Sequence, residues 1–252
     1  MDFNQLQIRI LEESSKTTGH GGFASKSCAR HLERALQLRT RMPEVAAFLA
    51  ITAEEEAATA VFAALRKRRY AHAKQLKVRD HRFKAGVYPF LKLLGEVLGP
   101  LKHEFPLTLF FDQKSDKEKR DILRVRMPIG IQGDRQFCIV PEPPLNLVSV
   151  DPGGTPTNYL KQVRSVASDQ GIHSIYEYIQ EVANQRNTML YASDSGIPEL
   201  KNIDNILDRH VRAAFLNLIM YLLIEPHKIQ NLVQEALHTF LSILHRIDEK
   251  ET

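Results

Sequence analysis

The sequence predicts a mainly α-helical protein with a small antiparallel β insertion. Apolar side chains recur at spacings of three and four along several long stretches, the pattern of amphipathic helices. Between residues 105 and 156 they form short alternating runs broken by Gly, Pro and Asp, which is typical of strands and turns. The chain has 252 residues, of which 43% are hydrophobic, so it can bury a sizeable core.

We expect three parts: residues 1–104 form the first half of a helical domain, 105–156 a β-rich insertion, and 157–252 the second half. The first half predicts a short helix over residues 2–16, a flexible connector over 17–22, a helix capped by Ser27 that ends near 41, a long helix from Pro43 to about 70, and a helix capped by Asp80 that ends near 99.

The insertion predicts three or four antiparallel strands, at residues 107–111, 122–126, 137–140 and 145–150. Its lysines and arginines, including Arg120, Arg124 and Arg126, form a candidate basic surface. Helical periodicity then resumes, and the second half predicts helices at about 157–168, 172–192, 203–224 and 227–247.

Two charged residues stand on apolar helix stripes. Arg186 continues the series Ile179 and Val182, and Glu55 takes the equivalent place between Ile51 and Ala58. A buried guanidinium is tolerated only when it is paired. We therefore predict that Glu55 and Arg186 form an ion pair between two helices.

Glu54 and Glu56 flank Glu55 in a run of three glutamates. Charge runs of this kind are usually solvated, so we expect Glu54 to lie on an exposed acidic face. Glu56 remains a candidate for a supporting network.

Composition limits the classes of function. The formal net charge is +4, which is compatible with an anionic partner but too small to demonstrate one. Cys28 and Cys138 match no disulfide or metal spacing, so a reducing compartment is expected. The sequence predicts a cytoplasmic protein, since it has no signal-peptide pattern and no stretch long enough to span a membrane.

Known catalytic motifs are absent from the sequence. It contains no nucleophile elbow, His-Glu-x-x-His helix or cysteine cluster, so triad hydrolysis and zinc chemistry have little support. The histidines are scattered, and a lone histidine is more often structural than a ligand. We predict neither a metal nor a cofactor.

The charged residues form a pattern that resembles AbiV-type abortive-infection proteins of the HEPN superfamily. The resemblance covers about residues 28–96 and 172–222. It is carried by three short motifs: Glu55 and Glu56 followed by two alanines; Asp80, His81 and Lys84; and Arg186, Asn187, Tyr191 and Asp194, with Gly196 and Pro198 after them.

The resemblance implies a HEPN-like helical bundle, a homodimer and an antiviral defence protein that cleaves RNA without a metal or arrests translation. The family motif has an arginine, a polar residue and then a histidine. Arg186 and Asn187 match the first two positions, but Tyr191 stands where the histidine belongs. Since tyrosine titrates near pH 10, His81 from another helix is a second candidate for proton transfer, with Lys84 beside it.

Two other interpretations stay open. The chain is alternatively a non-catalytic HEPN-like module that senses infection by binding a protein or nucleotide. The other interpretation is a purely structural role, in which a buried polar network of Glu55, Arg186, Asn187 and Tyr191 fixes helix register. The expected partners are RNA for the nuclease, a phage-encoded or antitoxin protein in either case, and no membrane.

Overall fold

The computed structural model describes residues 3–97, 107–113, 120–132, 135–146, 149–150, 153, 156–157, 160–190, 200 and 202–250. This part of the chain is mainly α-helical with a small antiparallel sheet, as predicted. The helices are α1 (Gln5–Ser15), α2 (Gly19–Leu38), α3 (Pro43–Lys67), α4 (His81–Ala85), α5 (Val87–Val97), α6 (Leu160–Ser165), α7 (Asp169–Leu190), α8 (Ile203–Ile224) and α9 (Asn231–Lys250), with a 3-10 turn at Ala73–Gln75.

The helix α3 lies at the centre of the bundle. It packs most extensively against α2 and α8, and it also contacts α4 and α7. Its small side chains allow these close approaches: eight alanines from Ala46 to Ala64 are 0% or 1% exposed, along with Ile51 at 1% and Phe62 at 2%. Pro43 begins the helix, as predicted, because its fixed φ suits the first turn.

The long periodic segments form the helices predicted for them. The stripe of α7 is buried at Ile172, Ile175, Ile179, Val182 and Met189. The helix α8 spans the predicted residues, and α9 turns its apolar face inward through Leu237, Phe240 and Leu244. A stripe of this width buries enough apolar surface to hold each helix on the core.

The prediction of a flexible connector at residues 17–22 is wrong, and so is the cap at Ser27. The helix α2 already begins at Gly19, and Ser27 lies inside it. A Cβ on Gly22 would lie 2.0 Å from the Thr17 carbonyl oxygen, and one on Gly21 would lie 2.8 Å from the Tyr221 hydroxyl. These glycines allow close packing between helices. In the sequence alone, glycines with this role cannot be distinguished from those of a flexible loop.

The insertion forms strands β1 (Thr108–Asp112), β2 (Ile122–Gln132) and β3 (Arg135–Ile139) in one antiparallel sheet of order β1-β2-β3. Leu109 pairs with Val125, and Phe111 with Leu123. The buried side chains of β2 join the helical core, where this strand contacts α8. The predicted fourth strand pairs elsewhere: β4 (Ser149–Val150) and β5 (Pro156–Thr157) form a separate two-stranded sheet.

Within the described ranges, no helix is both long and apolar enough to cross a membrane.

Candidate functional site

The carboxylate of Glu55 brings together side chains from three helices. Arg186 Nη1 on α7 lies 3.0 Å from Glu55 Oε1, and Lys84 Nζ on α4 lies 2.9 Å from Oε2. His81 Nδ1, at the start of α4, is 2.8 Å from both carboxylate oxygens. The predicted ion pair between Glu55 and Arg186 is therefore confirmed. We call Glu55, His81, Lys84 and Arg186 the Glu55 cluster.

His81 also contacts Arg186 directly, with 2.6 Å between Nδ1 and Nη1. Each protonation state of Nδ1 satisfies one of these two contacts as a hydrogen bond. If Nδ1 carries a proton, it donates to Glu55, and Nε2 is left as a base. If Nδ1 is unprotonated, it accepts from Arg186, and Nε2 carries the proton as an acid. The partner of one ring nitrogen thus sets the chemistry of the other.

Exposure differs sharply across the Glu55 cluster. The Glu55 and Lys84 side chains are 6% and 10% exposed, Arg186 is 25% exposed, and His81 is 57% exposed. Nε2 of His81 has no hydrogen-bond partner among the described residues. The cluster consequently has a buried anion at its base and an imidazole at the surface.

The charges of the Glu55 cluster do not cancel. One carboxylate faces the two permanent cations Lys84 and Arg186, so the cluster keeps an excess positive charge when His81 is neutral. Asp80 does not offset it, because its carboxylate caps α4 by accepting from the Arg82 backbone N–H at 2.9 Å and lies 3.8 Å from the Arg82 side chain. An excess of partly desolvated positive charge favours a phosphate or another anion.

Local sequence explains how each residue reaches the cluster. Asp80 is the predicted N-cap of α4 and fixes the start of that helix, where His81 and Lys84 lie on one side, three residues apart. The Arg186 guanidinium lies 5.4 Å from the centre of the Phe48 ring on α3, a cation-π contact that supports its orientation.

The prediction for Glu54 is wrong, because its carboxylate is buried and paired. It is 1% exposed, and its Oε2 lies 2.6 Å from Nδ1 of the fully buried His210. The Tyr178 hydroxyl donates to the same carboxylate at 3.1 Å. Burial, then the Glu54 charge, raises the pKa of Tyr178, which keeps this phenol protonated as the donor.

The Glu54 contacts continue into a second polar group beside the Glu55 cluster. His210 Nε2 lies 3.4 Å from the Gln185 side chain, one residue before Arg186. The Arg209 guanidinium stacks over the Tyr178 ring at 4.3 Å and binds Glu181. The hydrogen bond from Arg209, opposed by partial burial, lowers the pKa of Glu181 below its ordinary value. Tyr178 and His210 were not predicted from the sequence as partners of α3.

Several predicted site residues are not placed in the cluster. Tyr191 and Asp194 lie outside the described residues, as does the side chain of Asn187, whose backbone belongs to α7. Glu56 is partly exposed on α3, and its charge acts on Cys28 and His31 of α2. None of the described contacts joins Glu56 to the Glu55 cluster.

Of the three arginines of the candidate basic surface that the structure describes, Arg126 is exposed over the Phe110 ring, and the other two are paired within the fold. Arg120 is 9% exposed and bound to Glu225, and Arg124 binds Asp112 and Glu142. The ion pairs of Arg120 and Arg124 therefore stay within the fold.

Among the described residues, no group of three or more His, Cys, Asp or Glu side chains is arranged to hold a metal ion.

The fold and the cluster together define a helical protein with a histidine and two cations gathered on one buried carboxylate. Compared with known protein families, curated proteins and solved structures, the chain shows no match.

Proposed function

We propose that the chain is a metal-independent endoribonuclease of the AbiV type within the HEPN superfamily, acting in antiviral defence. The observation that carries the proposal is the distance of 2.6 Å between Arg186 Nη1 and His81 Nδ1. These residues are far apart in sequence and come from the two separate halves of the resemblance. Their meeting supplies an imidazole beside the arginine although Tyr191 replaces the family histidine.

The proposed reaction is attack of a ribose 2′-hydroxyl on the neighbouring phosphate. Nε2 of His81 takes the hydroxyl proton while Glu55 holds Nδ1–H, the arrangement that orients histidine bases in other enzymes. The 2′-oxygen bonds to phosphorus, and the bond to the 5′-oxygen breaks, which leaves a 2′,3′-cyclic phosphate and a 5′-hydroxyl.

Charge and proton balance assign the other residues. Arg186 and Lys84 stabilise the negative charge that develops on the phosphorane oxygens. The leaving 5′-oxygen needs a proton, and Tyr191 stays the donor suggested by the sequence, with Asn187 as the residue that orients the phosphate. Defence as the biological role, and a dimer as the assembly, rest on the resemblance.

A non-catalytic module that binds a protein or nucleotide is the second candidate. It is favoured by the contacts of two neighbouring glutamates of α3. Glu54 connects this helix to α7 and α8, and Glu55 connects it to α4 and α7. A polar network of this kind can serve to fix helix positions without any chemistry.

Incubation of the purified protein with total RNA in EDTA separates the two candidates. The nuclease predicts cleavage by the wild-type protein and a loss of at least about 100-fold in His81→Gln and Arg186→Lys. A positioned base contributes about that much, and so does a positioned group that stabilises the transition-state charge. In both variants, the new side chain keeps much of the size and shape of the original one. His173→Gln and Arg212→Lys, at side chains 69% and 71% exposed on α7 and α8, are the matched controls.

Circular dichroism and urea unfolding must show that the variants are folded. Intact RNA at high concentrations of folded wild-type protein would overturn the nuclease and leave the binding module. Cleavage that survives in both cluster variants would assign the activity to a different site.

A further inference from the structure

The positive charge of the chain is concentrated in residues 66–84. This segment contains nine of the 34 lysines and arginines but only one of the 30 acidic residues, Asp80. The rest of the chain carries 25 basic and 29 acidic side chains, so without the segment it would be net negative. The weak overall charge therefore conceals a strongly basic segment, which runs from the end of α3 into α4.

Part of this charge is unused by the fold. Arg66 and Arg68 donate to backbone carbonyls, Lys67 binds Glu225, and Lys84 binds Glu55. Among the described residues, by contrast, the side chains of Arg69, Lys74 and Arg79 have no hydrogen-bond or ion-pair partner, and all three residues are exposed. Three exposed cations in eleven residues, with no acid among them until Asp80, favour a polyanion.

A groove of about 660 Å³ lies between this segment and α9. Its lining includes His72, Lys77 and Phe83 on one side, and His238, His245 and Asp248 on the other. Asp248 binds Arg82 at 3.0 Å and Lys77 at 3.9 Å, so the one acid of the lining is neutralised. Phe83 lies in α4, the helix that also carries His81 and Lys84 of the Glu55 cluster.

The groove also offers planar rings. The His72 and His238 imidazoles lie 5.1 Å apart, centre to centre, with their planes at 66°. Arg69 and His72 have left-handed backbone conformations, with φ of 61° and 65°. Few residues other than glycine adopt this region, although asparagine, aspartate and histidine do so more often than most. The chain holds a cation and an imidazole at two positions where glycine would be less strained, a cost often found at functional sites.

We propose that this groove and the exposed cations Arg69, Lys74 and Arg79 bind single-stranded RNA and deliver it to the Glu55 cluster; we call them the basic groove. The inference rests on the proposed nuclease function, since it assigns the substrate of that site. Cations track the phosphates, and the imidazoles stack on unpaired bases, as side chains do in single-strand binding sites.

The residues of the segment favour RNA over a membrane surface. Membrane-binding faces combine cations with exposed apolar side chains, and no large hydrophobic side chain between residues 66 and 84 is exposed. The location beside a histidine that can move protons favours a nucleic acid over an acidic protein.

The test measures binding without cleavage. A fluorescent single-stranded RNA with 2′-O-methyl riboses has no hydroxyl to attack, and its anisotropy reports binding to the wild-type protein and to the double variant Lys74→Glu/Arg79→Glu. We expect the variant to bind about tenfold more weakly and with a shallower salt dependence, because fewer phosphate contacts remain. The variant Lys26→Glu/Arg30→Glu is the control, since it makes the same charge change on a second exposed basic patch, on α2.

Equal weakening in the two double variants would overturn the basic groove, because the effect would then come from net charge alone. Tighter binding to anionic lipid vesicles than to RNA would overturn it too. The outcomes separate the two proposals: RNA binding through the basic groove without cleavage of total RNA would overturn only the nuclease, and cleavage with unchanged binding in Lys74→Glu/Arg79→Glu would overturn only the basic groove.

Discussion

Glu55 has an unusual position for a carboxylate, because it lies 6% exposed on the central helix with three partners from other helices. A buried ion pair adds little compared with an apolar substitute, but removing one partner leaves a desolvated charge behind. Substitution of Glu55 or of one of its partners should therefore destabilise the folded protein. The loss of stability allows the energy of the pairing to be measured.

A double-mutant cycle tests the coupling between Glu55 and Arg186. Urea unfolding of the wild type, Glu55→Gln, Arg186→Met and the double variant should give a coupling of about 1–3 kcal/mol, the range found for residues in one polar network. A second cycle on Asp208 and Arg212, whose side chains are 39% and 71% exposed, should give at most about 0.5 kcal/mol. A coupling near zero in the first cycle would contradict the pairing.

Glu225 provides a second buried charge whose partners predict a pH dependence. Burial alone would raise the pKa of this carboxyl, but the hydrogen bond from Lys67 and the charge of Arg120 lower it below its ordinary value. A folded pKa below the unfolded one means that the unfolded state binds more protons as the pH falls. The contribution of Glu225 is thus present above the unfolded pKa and lost as the pH drops through it and on through the lower folded pKa.

We expect Glu225→Gln to be destabilised by about 3 kcal/mol at pH 7, because Arg120 would stay buried without its anion. Its loss of stability between pH 7 and pH 4 should be smaller than that of the wild type, since the titrating group is gone. Urea unfolding at both pH values measures this difference. Glu249→Gln, at a side chain 66% exposed, is the control and should follow the wild type. Parallel pH curves for Glu225→Gln and the wild type would refute the assignment.

At the scale of elements, the start of α2 depends on its glycines. The Tyr221 side chain is 1% exposed, lies against Gly21 and donates to Thr17 Oγ1 at 2.7 Å. Thr17 in turn closes on Gly22, so α1, α2 and α8 meet in a space that has no room for a further side chain. The absence of side chains at Gly21 and Gly22 therefore allows these three helices to pack closely.

Gly22→Ala should therefore destabilise the protein, since its Cβ would lie 2.0 Å from a backbone oxygen that cannot move without moving the end of α1. We expect a loss of about 2 kcal/mol or more, in the range of overpacked sites. Gly95→Ala, in α5, is the matched control: its Cβ meets no described atom within 4 Å, and it should gain up to about 1 kcal/mol from helix propensity. Thermal unfolding of both variants checks the opposite signs, and equal effects would contradict the packing argument.

At the scale of the whole molecule, periodicity predicted the parts of the fold that depend on local pattern. The helices α3, α7 and α8 were recognisable because each has a long apolar stripe. The pair Glu55 and Arg186 was recognisable for the same reason, since a charge on a buried stripe must find a partner. The resemblance added His81 and Lys84, which periodicity alone did not single out.

The failures came from contacts that no local window contains. Glu54 was predicted to be exposed because runs of like charge are usually solvated, whereas helices pack against α3 on several sides. Its many alanines, apolar on every face, were the available signal, because a helix that is apolar all round lies within the core. The glycines of α2 seemed flexible because the residue that fills the space beside them, Tyr221, is about 200 positions away.

The buried thiol of Cys28 offers a measure of opening for the molecule as a whole. Its side chain is fully buried in α2 against the central helix, and burial raises the pKa of the thiol above its ordinary value, so the native state should not react. Cys138 is partly exposed in β3 and should react rapidly. In Cys138→Ser, labelling by a disulfide reagent should then proceed only through opening of the bundle.

The expected result is one fast thiol in the wild-type protein and none in Cys138→Ser until urea is added. Adding Gly22→Ala to Cys138→Ser should speed the labelling of Cys28. The ratio of the labelling rates with and without Gly22→Ala, expressed as a free energy, should match the measured loss of stability, because both report the same opened state. The Gly95→Ala variant should slow it. Fast labelling of Cys28 in the native protein, at a rate independent of these variants, would mean that α2 leaves the core by itself. The bundle would then contain two units that unfold separately, whereas the packing of α2 on α3 predicts a single cooperative unit.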